Sequence, residues 1–192
     1  MDNINLLIRP LKLKDINKNY ISWFSDRKVT EYLEARNISI KDSEQYLIKG
    51  IKNCTYYIYA ICDENSKAHI GNIKIGPIRR LDGVSDLVTL IGDKSYWGKG
   101  LASKAIKIII QKSFIEGGMR KFSASIDSNN IASLKSYQKA GFKVEAKLNN
   151  YFCHYNRKAK TYSDKLYVVF DNKAYDLEKF KKWKPISLMD IS

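Results

Sequence analysis

Apolar residues along this chain change their period twice, and those changes divide it into elements. LLIR at residues 6–9 reads as a short strand that Pro10 stops. Beyond Asp15, a candidate cap, Ile16, Tyr20, Trp23 and Phe24 recur at helical spacing, and a second helical piece is predicted over Val29–Leu33. Ser43 is expected to open a further helix in an S-x-x-Y arrangement, with Tyr46, Leu47 and Ile51 on one face.

From residue 55 the period shortens. TYYIYAIC (55–62), AHIGNIKIGPI (68–78) and DLVTLIGD (86–93) are β-branched and aromatic, and the polar turns between them predict an antiparallel meander. A helix is predicted over Gly100–Ile115, ended by Gly117 and Gly118. RKFSASI then reads as a strand, DSNN as a turn and cap, and NIASLKSYQKAGF as a helix that Gly141 stops. KVEAKL is a strand, residues 149–163 a polar loop, and DKLYVVF (Asp164–Phe170) the last strong strand. The remainder predicts one or two amphipathic turns and a loose end. The division is a domain over 1–170 and a basic extension over 171–192. This order predicts an α+β sheet with helices on both faces, since a doubly wound nucleotide fold would alternate strand and helix throughout.

Composition narrows the classes. Of 192 residues, 44% are hydrophobic, enough for a packed core. No apolar run approaches the ~20 residues that span a bilayer, and the N-terminus lacks the basic and apolar regions of a signal peptide. The expected location is therefore the cytoplasm, with no membrane partner. Cys54, Cys62 and Cys153 form no C-x-x-C pair, and with two histidines they predict no metal site. Cys153 and His154 are neighbours, but adjacent side chains do not reach each other as nucleophile and base. The net charge of +14 favours anionic ligands, although it is dispersed apart from RKAK (Arg157–Lys160) and KFKKWK (Lys179–Lys184). No nucleic-acid motif or basic helix stripe accompanies it.

The candidate chemistry lies in YWGKGLASKAI, Tyr96 to Ile106. A P-loop fails here because five residues, not four, separate Gly92 from Gly98 and Gly100 stands where the magnesium-binding hydroxyl belongs. A dinucleotide fingerprint fails at Ser103, and a meander precedes it instead of a Rossmann unit. A strand, a glycine-rich turn and a helix N-terminus together present successive N–H groups that suit a pyrophosphate without metal.

YWGKGLASKAI resembles the acyl-CoA loop of the GCN5-related N-acetyltransferase (GNAT) family, and NIASLKSYQKAGF resembles its later N-x-x-[SA]…Y…GF segment. The N-terminal YISWFSDRKVTEYL and HIGNIKIGPI are similar to the branch of ribosomal-protein alanine and amino-sugar acetyltransferases. Ser95 or Tyr96 replaces the Q/R that usually opens the loop.

The resemblance covers residues 5–170 and implies a mixed, mostly antiparallel sheet that splays between two parallel strands. It implies acetyl-CoA as cosubstrate, with no metal, and direct attack by a primary amine. Leu90, Ile91 and Gly92 would line the pantetheine arm, and Gly98, Lys99, Gly100, Leu101, Ala102 and Ser103 the pyrophosphate. Trp97 would flank the entrance, Asn130 and Ser133 would bond the cofactor, and Tyr137 would donate a proton to the leaving sulfur. Glu31, Glu34 and Arg36 would belong to the acceptor wall. Asp86 reads as a strand-end acid, and no base is assigned. The charge favours an anionic small amine such as a nucleotide-linked amino sugar. A protein N-terminus, or a non-catalytic module that binds CoA or nucleic acid, stands as the alternative. A monomer or homodimer is expected.

Overall fold

The computed structural model describes residues 4–155 and 160–192. It builds one seven-stranded sheet in the order β1-β2-β3-β4-β5-β7-β6. The strands are β1 (Leu6–Pro10), β2 (Tyr57–Asp63), β3 (His69–Arg79), β4 (Val84–Ile91), β5 (Lys121–Asp127), β6 (Lys143–Tyr155) and β7 (Lys160–Asp171). The helices are α1 (Lys18–Ser25), α2 (Ile40–Lys52), α3 (Leu101–Gly117), α4 (Ile131–Lys139) and α5 (Leu177–Lys182). All neighbouring strands run antiparallel except β4 and β5.

The two faces of the sheet can be told apart by register. Ser85 aligns with Phe122 and Asp86 with Ser123 in the parallel pair. The Phe122 ring meets Phe114 of α3, and Phe170 meets both Phe114 and Phe142, which follows α4. That face therefore belongs to α3 and α4. Because side chains alternate along strands, Leu87 and Thr89 share it, whereas Asp86, Ser123, Ser125 and Asp127 lie on the other. Strand β2 is buried at all seven residues, so both of its faces are covered. Tyr57 meets Trp183, which itself lies over Gly117 of α3. Helix α2 packs on the same strand.

Four local expectations are corrected. Residues 29–33 form turns, because only Val29 and Thr30 there are buried and no apolar stripe continues from α1. Helix α2 starts at Ile40, since Ser39 is its cap: the Ser39 hydroxyl accepts from Asp42 N–H at 3.0 Å, and Ser43 lies inside the helix. The described part of the expected loop over 149–163 is strand, extending β6 to Tyr155 and starting β7 at Lys160. Strand β6 is an edge whose residues 143–151 are all exposed, so pairing with β7 holds it without apolar alternation. Of the RKAK cluster, residues 157–159 lie outside the described residues.

The C-terminal segment, expected to be loose, is packed. Phe180, Trp183, Ile186 and Ile191 are buried. The Arg80 guanidinium donates to the carbonyls of Phe180, Lys181, Trp183 and Cys54 at 3.0–3.3 Å, satisfying the C-terminal end of α5.

Candidate active site

The site begins where β4 and β5 part. Their pairing ends at Asp86 and Ser123, after which β4 continues with β3 to Ile91 while β5 continues with β7 to Asp127. The β5-facing edge of Leu87, Thr89 and Ile91 is thereby opened, since alternate residues turn their N–H and C=O to the same side. Two side chains reach into the opening. The Tyr137 hydroxyl donates to Leu87 O at 2.7 Å, and the Trp97 indole donates to Ile91 O at 2.8 Å.

Tyr137 arrives on α4, whose cap is Asn130. Its side-chain oxygen accepts from Ser133 N–H at 3.1 Å, leaving the amide NH2 free of the capping role. Tyr137 is 3% exposed and packs edge-on against Phe142. Burial pushes its phenol up, against the lowering effect of the Thr89 hydroxyl and backbone N–H. A phenol so placed stays protonated at neutral pH and can serve as a donor. The Thr89 hydroxyl lies 3.5 Å from it. Nothing in the sequence pattern singled out Thr89.

On the far side of the opening, α3 starts directly after Gly100. Gly98 and Gly100 have φ of 75° and 72°, and no atom lies within 4 Å of where a side chain would begin. Both residues need the left-handed region and leave the approach clear. Gly100 caps α3 without a side-chain bond, and the Ser103 hydroxyl turns back to Gly100 O at 2.8 Å. The first-turn N–H groups of Leu101, Ala102 and Ser103 are therefore donors without intrahelical partners. That is a fit for a pyrophosphate, and Lys99, exposed over the Tyr96 ring, adds positive charge.

The residues expected along the pantetheine arm divide. Ile91 turns its carbonyl into the opening. Leu90 turns toward β3, where its carbonyl approaches Gly71. Gly92 has its N–H on Ile70 O at 2.9 Å and lies under the Trp23 indole, which a Cβ would meet at 2.0 Å.

The residues expected to form the acceptor wall lie on the loop after α1. Glu31, Glu34 and Arg36 are exposed on the loop after α1, and the Arg36 guanidinium is turned back to Leu33 O and Glu31 O. Tyr32 on the same loop donates to Asn129 O at 3.4 Å. Burial and the Glu31 carboxylate push the Tyr32 phenol up, and the Asp127 carboxylate adds to this. Lys94 pairs with Asp26 and ties the loop to the approach of α3. Asp86 accepts from the Ser123 hydroxyl at 2.5 Å.

Asp127 ends β5 on the face opposite α3 and α4. Its Oδ1 accepts from Asn129 N–H at 2.9 Å, and its carbonyl accepts from Asn130 N–H at 2.8 Å. Lys165 and Tyr167 pair with Asp127 and Ser125 and so share their face. The Lys165 ammonium lies 4.3 Å from the Tyr151 ring centroid and 5.1 Å from that of Tyr167. Burial lowers its pKa, but the two tyrosines outweigh this, so Lys165 stays a cation. Among the described residues no His/Cys/Asp/Glu group could hold a metal. No helix there is long and apolar enough to cross a membrane.

Comparison with known proteins agrees with this geometry. Residues 5–143 match the acetyltransferase (GNAT) domain family. The uncharacterized N-acetyltransferase p20 of Bacillus licheniformis is 23% identical over 150 residues, covering 76% of this chain and 83% of that one. The spermidine N-acetyltransferase of Vibrio cholerae in complex with CoA and spermine superposes with a TM-score of 0.77 at 20% identity, covering 88% of this chain and 97% of that one. An aminoglycoside acetyltransferase in complex with coenzyme A gives a TM-score of 0.70 at 18% identity, covering 88% and 96%. The chain belongs to the GNAT acetyltransferase family and is an acetyl-CoA-dependent N-acetyltransferase.

Proposed function

We propose that this N-acetyltransferase acetylates a primary amine on a small anionic molecule, of the class of nucleotide-linked amino sugars, with Tyr137 as proton donor. The observation that carries the chemistry is the Tyr137 hydroxyl, held at the point where β4 and β5 part, 2.7 Å from Leu87 O. Acetyl-CoA supplies the acetyl group as a thioester. The α3 first turn binds its pyrophosphate, and the open edge at Thr89 and Ile91 receives the arm once the Trp97 indole gives up Ile91 O. Asn130 and Ser133, at the start of the helix that carries Tyr137, are assigned to the cofactor. As the amine attacks and the C–S bond breaks, the phenol of Tyr137 protonates the departing sulfur.

The acceptor enters from the opposite face, over Ser125, Lys165 and Tyr167. Lys165, flanked by the Tyr151 and Tyr167 rings, supports an anionic and partly planar acceptor, because it offers a cation beside stacking surfaces. The net charge of +14 steers such a molecule inward.

A second reading is a polycationic amine. It is favoured by the exposed carboxylates of Glu31 and Glu34 at the mouth and by the substrates named for the similar structures. The test is thiol release from acetyl-CoA with a panel holding a nucleotide-linked amino sugar, spermidine, an aminoglycoside and a peptide with an N-terminal alanine. Turnover led by the amino sugar and lost in Lys165→Glu supports the anionic reading. Turnover led by spermidine, and raised by Lys165→Glu, replaces it with the cationic one.

A further inference from the structure

A phenol that gives its proton to sulfur is left as a phenolate, and a buried anion is costly unless a donor meets it. The transfer starts uphill, because a thiol titrates near about 8.5 and a phenol near about 10. We propose that the Thr89 hydroxyl meets this need, as a positioning residue that donates to the Tyr137 oxygen while the phenol protonates the departing sulfur. This role rests on the acetyltransferase reading above and on Tyr137 as its proton donor.

Thr89 lies on β4 opposite Ile73 of β3, three residues beyond the last pair with β5. It is the one polar residue in LVTLI (87–91), at a place where valine would have the same outline. Its side chain is half-buried, whereas Tyr137 is buried. The Thr89 Oγ1 lies 3.5 Å from the Tyr137 hydroxyl. That hydroxyl commits its single proton to Leu87 O at 2.7 Å, so toward Tyr137 the threonine is the donor.

The other neighbours of the phenol cannot take this part. Leu87 O only accepts, and once the phenolic proton has left it opposes the anion beside it. The Phe142 ring stands edge-on without an N–H or O–H. Burial pushes the phenol up most strongly, and the Thr89 hydroxyl is the largest influence in the other direction. The Asp86 carboxylate raises it further, and the Thr89 N–H lowers it. Both donors therefore come from one residue, and of the two the hydroxyl is free to turn. A separation of 3.5 Å is long for two neutral oxygens, but an O–H donated to an anionic oxygen shortens to about 2.5–2.7 Å. Thr89 thus holds the phenolate more tightly than the phenol, and an interaction that strengthens along the reaction is the kind that raises kcat.

The step balances as follows. The C–S bond breaks and its electron pair stays on sulfur. The O–H bond of Tyr137 breaks, its proton joins sulfur, and its electron pair stays on the phenolate oxygen, to which Thr89 donates. After the thiol leaves, solvent returns one proton to Tyr137, matching the proton that the amine nitrogen loses to solvent as the amide forms.

The first test needs no ligand. With 3,5-difluorotyrosine in place of Tyr137, ring fluorination lowers the phenol into a measurable range, and ultraviolet absorbance follows its titration. Adding Thr89→Val should raise its apparent pKa by about one unit or more, as loss of a hydrogen bond to a charged group implies. Thr89→Ser should leave it with wild type. The second test is thiol release with the amine of highest turnover in the panel above. Thr89→Val should lower kcat about 10-fold or more, and Thr89→Ser should restore most of it. A packing role would rank them the other way, since valine keeps the volume and serine does not. In a Tyr137→Phe background, Thr89→Val should cost less than about twofold, because the partner is gone. An undiminished CoA-induced rise in Tm shows that each variant is folded. An unchanged fluorotyrosine pKa in Thr89→Val, or an equal loss of kcat with and without Tyr137, would overturn the role. Wild-type kcat in Tyr137→Phe would instead remove the donor reading and this role with it.

Discussion

The Tyr137 hydroxyl and the Leu87 carbonyl oxygen are 2.7 Å apart, although 50 positions separate them in sequence. Leu87 is the first β4 residue beyond the last β4–β5 pair. The hydrogen bond therefore sits where the sheet begins to open, and it occupies a carbonyl that β5 no longer reaches. One contact closes the end of the gap and positions the phenol inside it.

Tyr137→Phe removes the proposed proton donor but keeps the ring against Phe142. We expect kcat to fall about 100-fold with the affinity for CoA unchanged. Stability should fall by about 1 kcal/mol, because Leu87 O loses its partner. Thiol-release kinetics and calorimetry with CoA check both. Unchanged kcat would take the donor role from Tyr137.

Gly92→Ala places a methyl group 2.0 Å from the Trp23 Cδ2 position. The contact is with a buried ring on α1, which cannot swing aside as a surface side chain would. Overpacking of this kind costs about 1–3 kcal/mol. The displaced α1 should also shift the loop that carries Tyr32, raising KM for the amine more than KM for acetyl-CoA. A thermal melt and two saturation curves decide it; wild-type values in both would mean that α1 yields freely.

Arg80→Ala leaves the carbonyls of Lys181 and Trp183 without their guanidinium donor, while Phe180 O keeps only the Trp183 N–H. Losing hydrogen bonds to a charged group costs about 2–3 kcal/mol. The C-terminal segment should then open ahead of the sheet, so that limited trypsin digestion cuts first within residues 179–184. A digestion pattern like that of wild type would show that Trp183 and Phe180 hold the segment without Arg80.

Acid should weaken the fold in two stages. Burial pushes the His69 imidazole below its usual range, outweighing the bonds that Nε2 makes to Asn72 Oδ1 and Gly71 O. Because the folded pKa is lowered, the stability linked to His69 is full above about 6.5 and is lost as pH falls through the lower folded value. Asp15 follows. Burial alone would raise its carboxyl, but the Arg9 guanidinium and the Lys12 N–H hold it below the usual carboxylate range. Its contribution is full above about 3.9 and disappears below that. Urea melts from pH 8 to pH 3 should show both declines, with His69→Gln lacking the first and Asp15→Asn reduced in the second. A flat profile between pH 7 and pH 5 would contradict the first.

Much was legible in the sequence because it is local. The β-branched and aromatic runs of β2 to β5 and β7 lie in one chain segment each, and burial on one or both faces is written directly into each run. The glycine turn before α3 and the Asn130 cap of α4 are local for the same reason: φ angles and caps depend on residues a few positions apart. Ser39 and Ser43 offer similar capping patterns four residues apart, and only the hydrogen bond to Asp42 separates the two. The exposed stretch of β6 carried no signal, since an edge strand is held by backbone pairing that any polar residue permits.

What the sequence by itself determined was the succession of elements, the family that their motifs resemble, and the identity of the phenol and of the glycine turn. Only the tertiary structure decided which carbonyl the phenol meets, that Thr89 lies beside it, and that Asp127, His154 and Ser163 converge. Those meetings depend on strand order, because β7 inserts between β5 and β6 and brings residues 127, 154 and 163 together. Strand order is set by long-range burial and pairing over the whole sheet, to which each short segment contributes only its own face.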